Sequence, residues 1–171
     1  MLLMLGALVL PLLIDADRAS AHTTTSRDHR EPISCPFSVD SDFVDSWGDA
    51  RSGGRRHQGV DMPARRGTPV VAVRAGYAEF KVSSAGGNAI WLTTVDGDKF
   101  YYAHLDAWEG DSRGVNRGDV VGYVGSTGNA TGDHLHIESH PGGQPANPYP
   151  AIQAACAPAP LRAGGTSLLR L

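Results

Sequence analysis

From Pro69 onward the chain is cut by clusters of Gly, Asp and Asn into short runs rich in Val, Ile, Trp, Tyr and Thr. None of these runs carries the sustained three-to-four-residue apolar period of an amphipathic helix. Short β-branched and aromatic runs bounded by turn residues are what antiparallel strands need, so the chain is expected to be all-β. The candidate strands are residues 69–74, 76–82, 88–94, 99–104, 120–124 and 134–139. Asp96-Gly97 joins 88–94 to 99–104 as a hairpin, because Gly supplies the positive φ of a tight turn. No repeat of solenoid or propeller period is visible.

The flanks read differently. Residues 1–14 are almost wholly apolar and are followed by Asp15, Asp17, Arg18 and then Ala19-Ser20-Ala21. An apolar stretch too short to span a bilayer, ending in a small-x-small site, is the pattern of a signal peptide over 1–21. No Lys or Arg precedes it, so a retained N-terminal anchor is the alternative. Residues 22–34 are polar, without an apolar period, and are expected to form a flexible leader. After about Ile152 the chain reads as irregular apart from Cys156, with 157–171 a tail. Its two cysteines, Cys35 and Cys156, are 121 residues apart near the ends of the expected domain, 35–156, and in an exported chain they are expected to pair. The formal net charge of −3 offers no basic excess for nucleic acid.

Seven histidines remain to be explained. His22, His29 and His140 lie in polar or Pro/Gly-rich surroundings and read as solvated side chains. His134-Leu135-His136 lies in a strand-like run, where residues two apart share a face. The two imidazoles can therefore supply metal ligands, or one ligand beside one base, and Glu138 continues their face. His57 and Asp61 are four apart, but Gly59 and Pro63 argue against a helix, so they are placed on a loop running into a strand. His104 closes the run Phe100-Tyr101-Tyr102-Ala103-His104. A catalytic zinc centre uses three protein ligands and keeps one position open. The residues alone leave two sets: His57, Asp61 and one histidine of the His134/His136 pair, or His104, His134 and His136.

The ordered combination Arg56-His57-Gln58-Gly59-Val60-Asp61, Tyr102-Ala103-His104-Leu105 and Thr131-Gly132-Asp133-His134-Leu135-His136-Ile137-Glu138 closely resembles the lysostaphin-like, or LytM-type, zinc metallopeptidases of bacterial cell walls. Trp47-Gly48, Arg51, Gly67-Thr68-Pro69-Val70, Gly87-Asn88, Arg117-Gly118-Asp119, Gly125-Ser126-Thr127-Gly128 and Asn147-Pro148 extend the likeness over roughly 47–150. The resemblance implies a small antiparallel sheet lining a groove. It implies one zinc ion per chain held by His57, Asp61 and His136, with His104 and His134 as the catalytic histidines.

His134, two residues from His136 on the same face, has the leading claim to be the base. His104 then orients water or stabilises the oxyanion, and the two roles can be exchanged. Glu138 is a candidate partner that holds an imidazole by hydrogen bonding. Asn88 and Tyr102 are candidate substrate contacts, the first against a turn role and the second against core packing. Asp133, Ile137 and Met62 depart from the family's usual residues at the groove edge or core. The implied activity is a secreted zinc metalloendopeptidase, acting as a monomer on peptidoglycan outside the cell or in the cell-wall or periplasmic space. No nucleic acid and no transmembrane segment in the mature chain are expected. The alternative is a non-catalytic peptidoglycan-binding or amidase-activating module on the same fold.

Overall fold

The computed structural model describes residues 31–158. The expected signal segment, His22, His29, most of the leader and the tail beyond 158 lie outside the described residues. Within them the chain is an antiparallel β domain, in the order β1 (Val60–Pro63), β2 (Pro69–Val71), β3 (Gly76–Ser83), β4 (Gly87–Thr94), β5 (Lys99–Leu105), β6 (Ala107–Trp108), β7 (Arg113–Val115), β8 (Val120–Tyr123) and β9 (His134–His140), closed by helix α1 (Tyr149–Cys156). A six-stranded sheet has the order β1-β9-β5-β4-β3-β7, and a three-stranded one the order β2-β8-β6. No described helix is long and apolar enough to cross a membrane.

Every expected strand is present, with ends moved by one to a few residues. The Asp96-Gly97 turn closes the β4–β5 hairpin, with Gly97 N–H donating to the Thr94 carbonyl at 3.0 Å and Thr94 N–H to the Asp98 carbonyl at 2.9 Å. Strands β1, β6 and β7 are additional; they run for only two to four residues, too short to show a period. Helix α1 replaces part of the expected irregular tail. Its start is set by the Asn147 carboxamide oxygen, which accepts Tyr149 N–H at 2.9 Å, and by Pro at the first turn. Ala151, Ala154 and Ala155 favour helix, and only Ile152 is buried, so one turn's worth of apolar signal was all the sequence offered.

The two sheets meet in one core. Val60, Met62, Ile90, Leu92, Tyr102, Leu135 and Ile137 of the larger sheet, Val70 and Val121 of the smaller, and Ile152 of α1 are all essentially inaccessible to solvent. The Cys35–Cys156 disulfide is formed and ties the end of α1 to the start of the domain. Ordered contacts begin before Cys35: Ser34 N–H donates to the Val73 carbonyl at 2.9 Å and Arg117 to the Pro32 carbonyl at 3.1 Å. The last residues assigned to the leader therefore pack as part of the domain.

Candidate metal centre

The face of the larger sheet away from the core floors a groove of about 710 Å³. Its centre is built by cross-strand register. Asp61 on β1 stands directly opposite His136 on β9, and Ala103 on β5 opposes His136 from the other side. A small residue at 103 leaves room above the sheet for the imidazole. Along β9, His134, His136 and Glu138 line the groove while Leu135 and Ile137 enter the core, the alternation expected of a strand. His57 arrives from the segment before β1, where Gly48 N–H donates to its carbonyl and its own N–H donates to the Asp49 carbonyl, each at 2.9 Å.

Three donor atoms converge. His57 Nε2 lies 3.1 Å from Asp61 Oδ1 and 3.0 Å from His136 Nδ1, and His136 Nδ1 lies 2.9 Å from the same carboxylate oxygen. The outer nitrogens fix the tautomers. His57 Nδ1–H donates to the Ser46 carbonyl at 2.8 Å, and His136 Nε2–H donates to Glu138 Oε1 at 2.9 Å. On neutral imidazoles this turns two lone pairs and a carboxylate oxygen toward one point with no proton between them. That arrangement is repulsive unless a cation sits there, and two imidazoles with a carboxylate suit zinc. The residues present thus fit the metal. His57, Asp61 and His136 form the compact group, whereas the all-histidine alternative does not gather in this way.

The carboxylates match a cationic centre. Burial disfavours ionised Asp61, but in the metal-free chain a second proton taken up by His136 or His57 can be donated to it, and these contacts outweigh burial and hold the carboxyl well below the usual range. Arg51 Nη2 adds a 2.6 Å contact to Asp61 Oδ2. Burial likewise opposes ionised Glu138, and hydrogen bonds from His136 and His140 reverse the balance and lower its pKa. His140, read from the sequence as solvated, is in fact buried; its Nε2 lies 2.5 Å from Glu138 Oε2 and its ring meets Trp91 edge-on. Its Pro/Gly-rich surroundings begin only after it, and the β9 strand carries it inside.

His104 and His134 flank the centre with ring centroids 4.8 Å apart. Each anchors Nδ1–H on a backbone carbonyl, Thr127 for His104 and Gly132 for His134, both at 2.8 Å, leaving Nε2 as a free acceptor. His134 Nε2 is 3.6 Å from Asp61 Oδ1. Burial pushes the His104 pKa down despite its bond to Thr127. The Thr127 segment is pressed against the start of β4 by Gly87 and Gly128, whose backbones meet: a Cβ on Gly87 would sit 2.5 Å from Gly128 N, one on Gly128 would sit 2.3 Å from Gly87 N, and both have positive φ.

His104 itself has φ 65°, the one positive-φ non-glycine residue described. This left-handed step breaks the alternation of β5 and turns the imidazole onto the groove side with Tyr101 and Ala103. The expected sharing of a face by Tyr102 and His104 therefore fails. Tyr102 is fully buried, and its hydroxyl accepts the Val73 N–H at 2.9 Å, so it packs the core. Asn88 also lies outside the groove lining: its side-chain amide donates to the Asp106 carbonyl at 3.1 Å, and its N–H donates to Thr127 Oγ1 at 2.9 Å. Tyr101, unremarked in the sequence, lines the groove where Tyr102 does not, because it opposes Glu138 across the β5–β9 ladder. Of the residues that depart from the family's usual pattern, Met62 and Ile137 are core and Asp133 pairs with Arg66 at 2.8 Å.

The family model described as Peptidase family M23 matches residues 55–148. The DD-carboxypeptidase/endopeptidase Mpg of Neisseria gonorrhoeae is 45% identical over 95 residues, covering 55% of this chain and 22% of that protein. The L-Ala--D-Glu endopeptidase of Bacillus subtilis is 37% identical over 107 residues, 59% of this chain and 32% of that one. The chain thus spans between a fifth and a third of the length of these relatives. Among solved structures, the catalytic domain of the antimicrobial peptidase lysostaphin from Staphylococcus simulans superposes with a TM-score of 0.59 at 31% identity, covering 66% of this chain and 92% of that domain. With its matched segment enclosing all five groove residues His57, Asp61, His104, His134 and His136, the chain belongs to peptidase family M23.

Proposed function

We propose that the chain is a secreted zinc metalloendopeptidase that hydrolyses peptide bonds in peptidoglycan cross-links or stem peptides, with residues 35–156 as the peptidase domain and one zinc ion per chain. The observation that carries this reading is the convergence of His57 Nε2, His136 Nδ1 and Asp61 Oδ1 beside two further imidazoles whose Nε2 atoms are free. The names of two relatives, a DD-carboxypeptidase/endopeptidase and an L-Ala--D-Glu endopeptidase, support the reaction class. The disulfide supports export to an oxidising compartment.

His57, Asp61 and His136 would hold the zinc. Bound there, zinc supplies Lewis acidity, acidifying water and polarising a carbonyl near neutral pH. The chain's own groups handle the protons. His134 Nε2, 3.6 Å from Asp61 Oδ1, accepts a proton from the attacking water and returns it to the leaving amine, a role typically contributing about 10²–10⁴-fold. His104, kept neutral by burial and fixed by Thr127, presents its Nε2 beside His134 and orients the water or, once protonated, stabilises the oxyanion. Glu138 and the Ser46 carbonyl lock the two ligand imidazoles in orientation.

Digestion of purified peptidoglycan by the full chain, with products read by mass spectrometry, tests the proposal. New peptide termini that vanish on chelation and return with zinc are expected. A zinc-loaded chain that binds the wall and releases none would instead favour the non-catalytic module.

A further inference from the structure

Three arginines of one loop line the groove. The loop before β1 closes on Gly53 and Gly54, both at positive φ, while Arg51 N–H donates to the Arg55 carbonyl at 2.9 Å and Ala50 bridges Arg56. Arg51, Arg55 and Arg56 emerge side by side from this closed loop and line the same groove as the metal centre. Arg51 is committed to Asp61 at 2.6 Å, which places the loop one side chain from the reacting centre.

Arg55 and Arg56 are different. Arg55 donates Nε to the Ser52 carbonyl at 3.2 Å and Nη2 to Ser52 Oγ at 3.3 Å, and Arg56 donates Nη1 to the Gly48 carbonyl at 3.1 Å. Neither pairs with a carboxylate among the described residues. Outside the groove Arg66, Arg74 and Arg117 each do, while Arg65 and Arg113 do not among the described residues. The guanidinium groups of Arg55 and Arg56 are therefore held by neutral oxygens, with N–H groups left over and their charge uncompensated, in a chain whose net charge is −3. Asn129, Ala130 and Thr131, which line the same groove, are uncharged. A planar guanidinium anchored on one edge presents the other to a carboxylate.

Resting on the peptidase reading above, we propose that Arg55 and Arg56 form an anion subsite that selects peptides carrying a free carboxylate close to the scissile bond over neutral, glycine-type bridges. The carboxylate can come from a glutamyl residue within the stem or from its C terminus.

The test uses the full chain carrying His134→Ala and fluorescence anisotropy of three labelled stem peptides: one with both carboxylates free, one with the glutamyl carboxylate amidated, one with the C terminus amidated. Amidation at the recognised position is expected to weaken binding about tenfold, the contribution of two exposed charge-assisted contacts. The Arg55→Gln/Arg56→Gln double variant should bring that ratio close to one, and raised salt should shrink it. The peptide that loses affinity identifies which carboxylate is read. Equal binding of all three, no measurable binding of any, or a preference that survives in the double variant overturns the subsite. Hydrolysis by the His134 parent chain is scored separately: cleavage of all three peptides without preference removes the subsite but keeps the peptidase, and loss of all cleavage removes the peptidase while the binding ratio still reports on the arginines.

Discussion

Gly59 lies between the two halves of the ligand set, and its missing side chain has a measurable consequence. A Cβ at this position would stand 2.5 Å from the Ile137 carbonyl oxygen, 2.7 Å from His136 Cε1 and 2.9 Å from His136 Nε2. The first contact is with strand backbone at the β1–β9 pairing, where Val60 opposes Ile137. The other two are with a ligand ring already fixed by Asp61 and Glu138. Relieving them requires the strands or the ring to move by roughly 0.5–1 Å, and overpacking of this kind costs about 1–3 kcal/mol. For a domain of this size that corresponds to a fall in Tm of about 3–12 °C. A ring displaced by more than about 0.5 Å also leaves productive metal geometry. Gly59→Ala is thus expected to lower both Tm and zinc affinity, the latter at least about tenfold.

Gly114→Ala is the matched control, since nothing lies within 4 Å of its Cβ and its φ is not positive; it should keep wild-type Tm to within a few degrees, as surface changes do, and full zinc affinity. Thermal melts with and without zinc, and competition titration against a chelating dye, read both quantities. A Gly59→Ala chain that melts and binds zinc like wild type would refute the steric argument.

Tyr102→Phe should leave the Val73 N–H buried and unpaired, costing about 1–3 kcal/mol in denaturant unfolding; KM should stay at the wild-type value, and a raised KM would return Tyr102 to the groove. Replacing both Cys35 and Cys156 by Ser opens a loop of 121 residues and should lower stability by about 4–5 kcal/mol in the chain-entropy limit, less if the unfolded state stays compact, again read by denaturant unfolding. Asp96 is held at about 2, against 3.8 when unperturbed, by hydrogen bonds from Thr94 and then Arg74. A lowered carboxyl contributes stability above its unfolded value and loses it as pH falls through 3.8 toward 2, so Asp96→Asn should flatten the acid fall of Tm in that window. An unchanged slope would contradict it.

What the sequence could show followed the reach of its local signals. Short β-branched and aromatic runs and the Asp96-Gly97 turn located four of the six strands of the larger sheet and two of the three of the smaller, and strand alternation placed His134 and His136 on one face. Alternation then misled at β5, because one left-handed residue, His104, reverses the faces beyond it and no residue type announces that step. Tyr102 is core and Tyr101 lines the groove for that reason. The tautomer-fixing partners of His57, His104 and His134 are carbonyls of Ser46, Thr127 and Gly132, and backbone groups carry no sequence signature. His140 was misread because its burial depends on Glu138 and on Trp91 of a strand almost fifty residues earlier. Helix α1 escaped because eight residues with a single buried side chain offer too little apolar period.

The central claim is that His57, Asp61 and His136 hold zinc while His134 moves protons, and metal content together with peptide hydrolysis in the full chain, its His136→Ala variant and its His134→Ala variant tests it most directly. About one zinc per chain with turnover in the wild type, loss of both in His136→Ala, and retained zinc with turnover reduced about 10²-fold or more in His134→Ala is the predicted pattern. Full zinc in His136→Ala, or wild-type turnover in His134→Ala, would contradict the account.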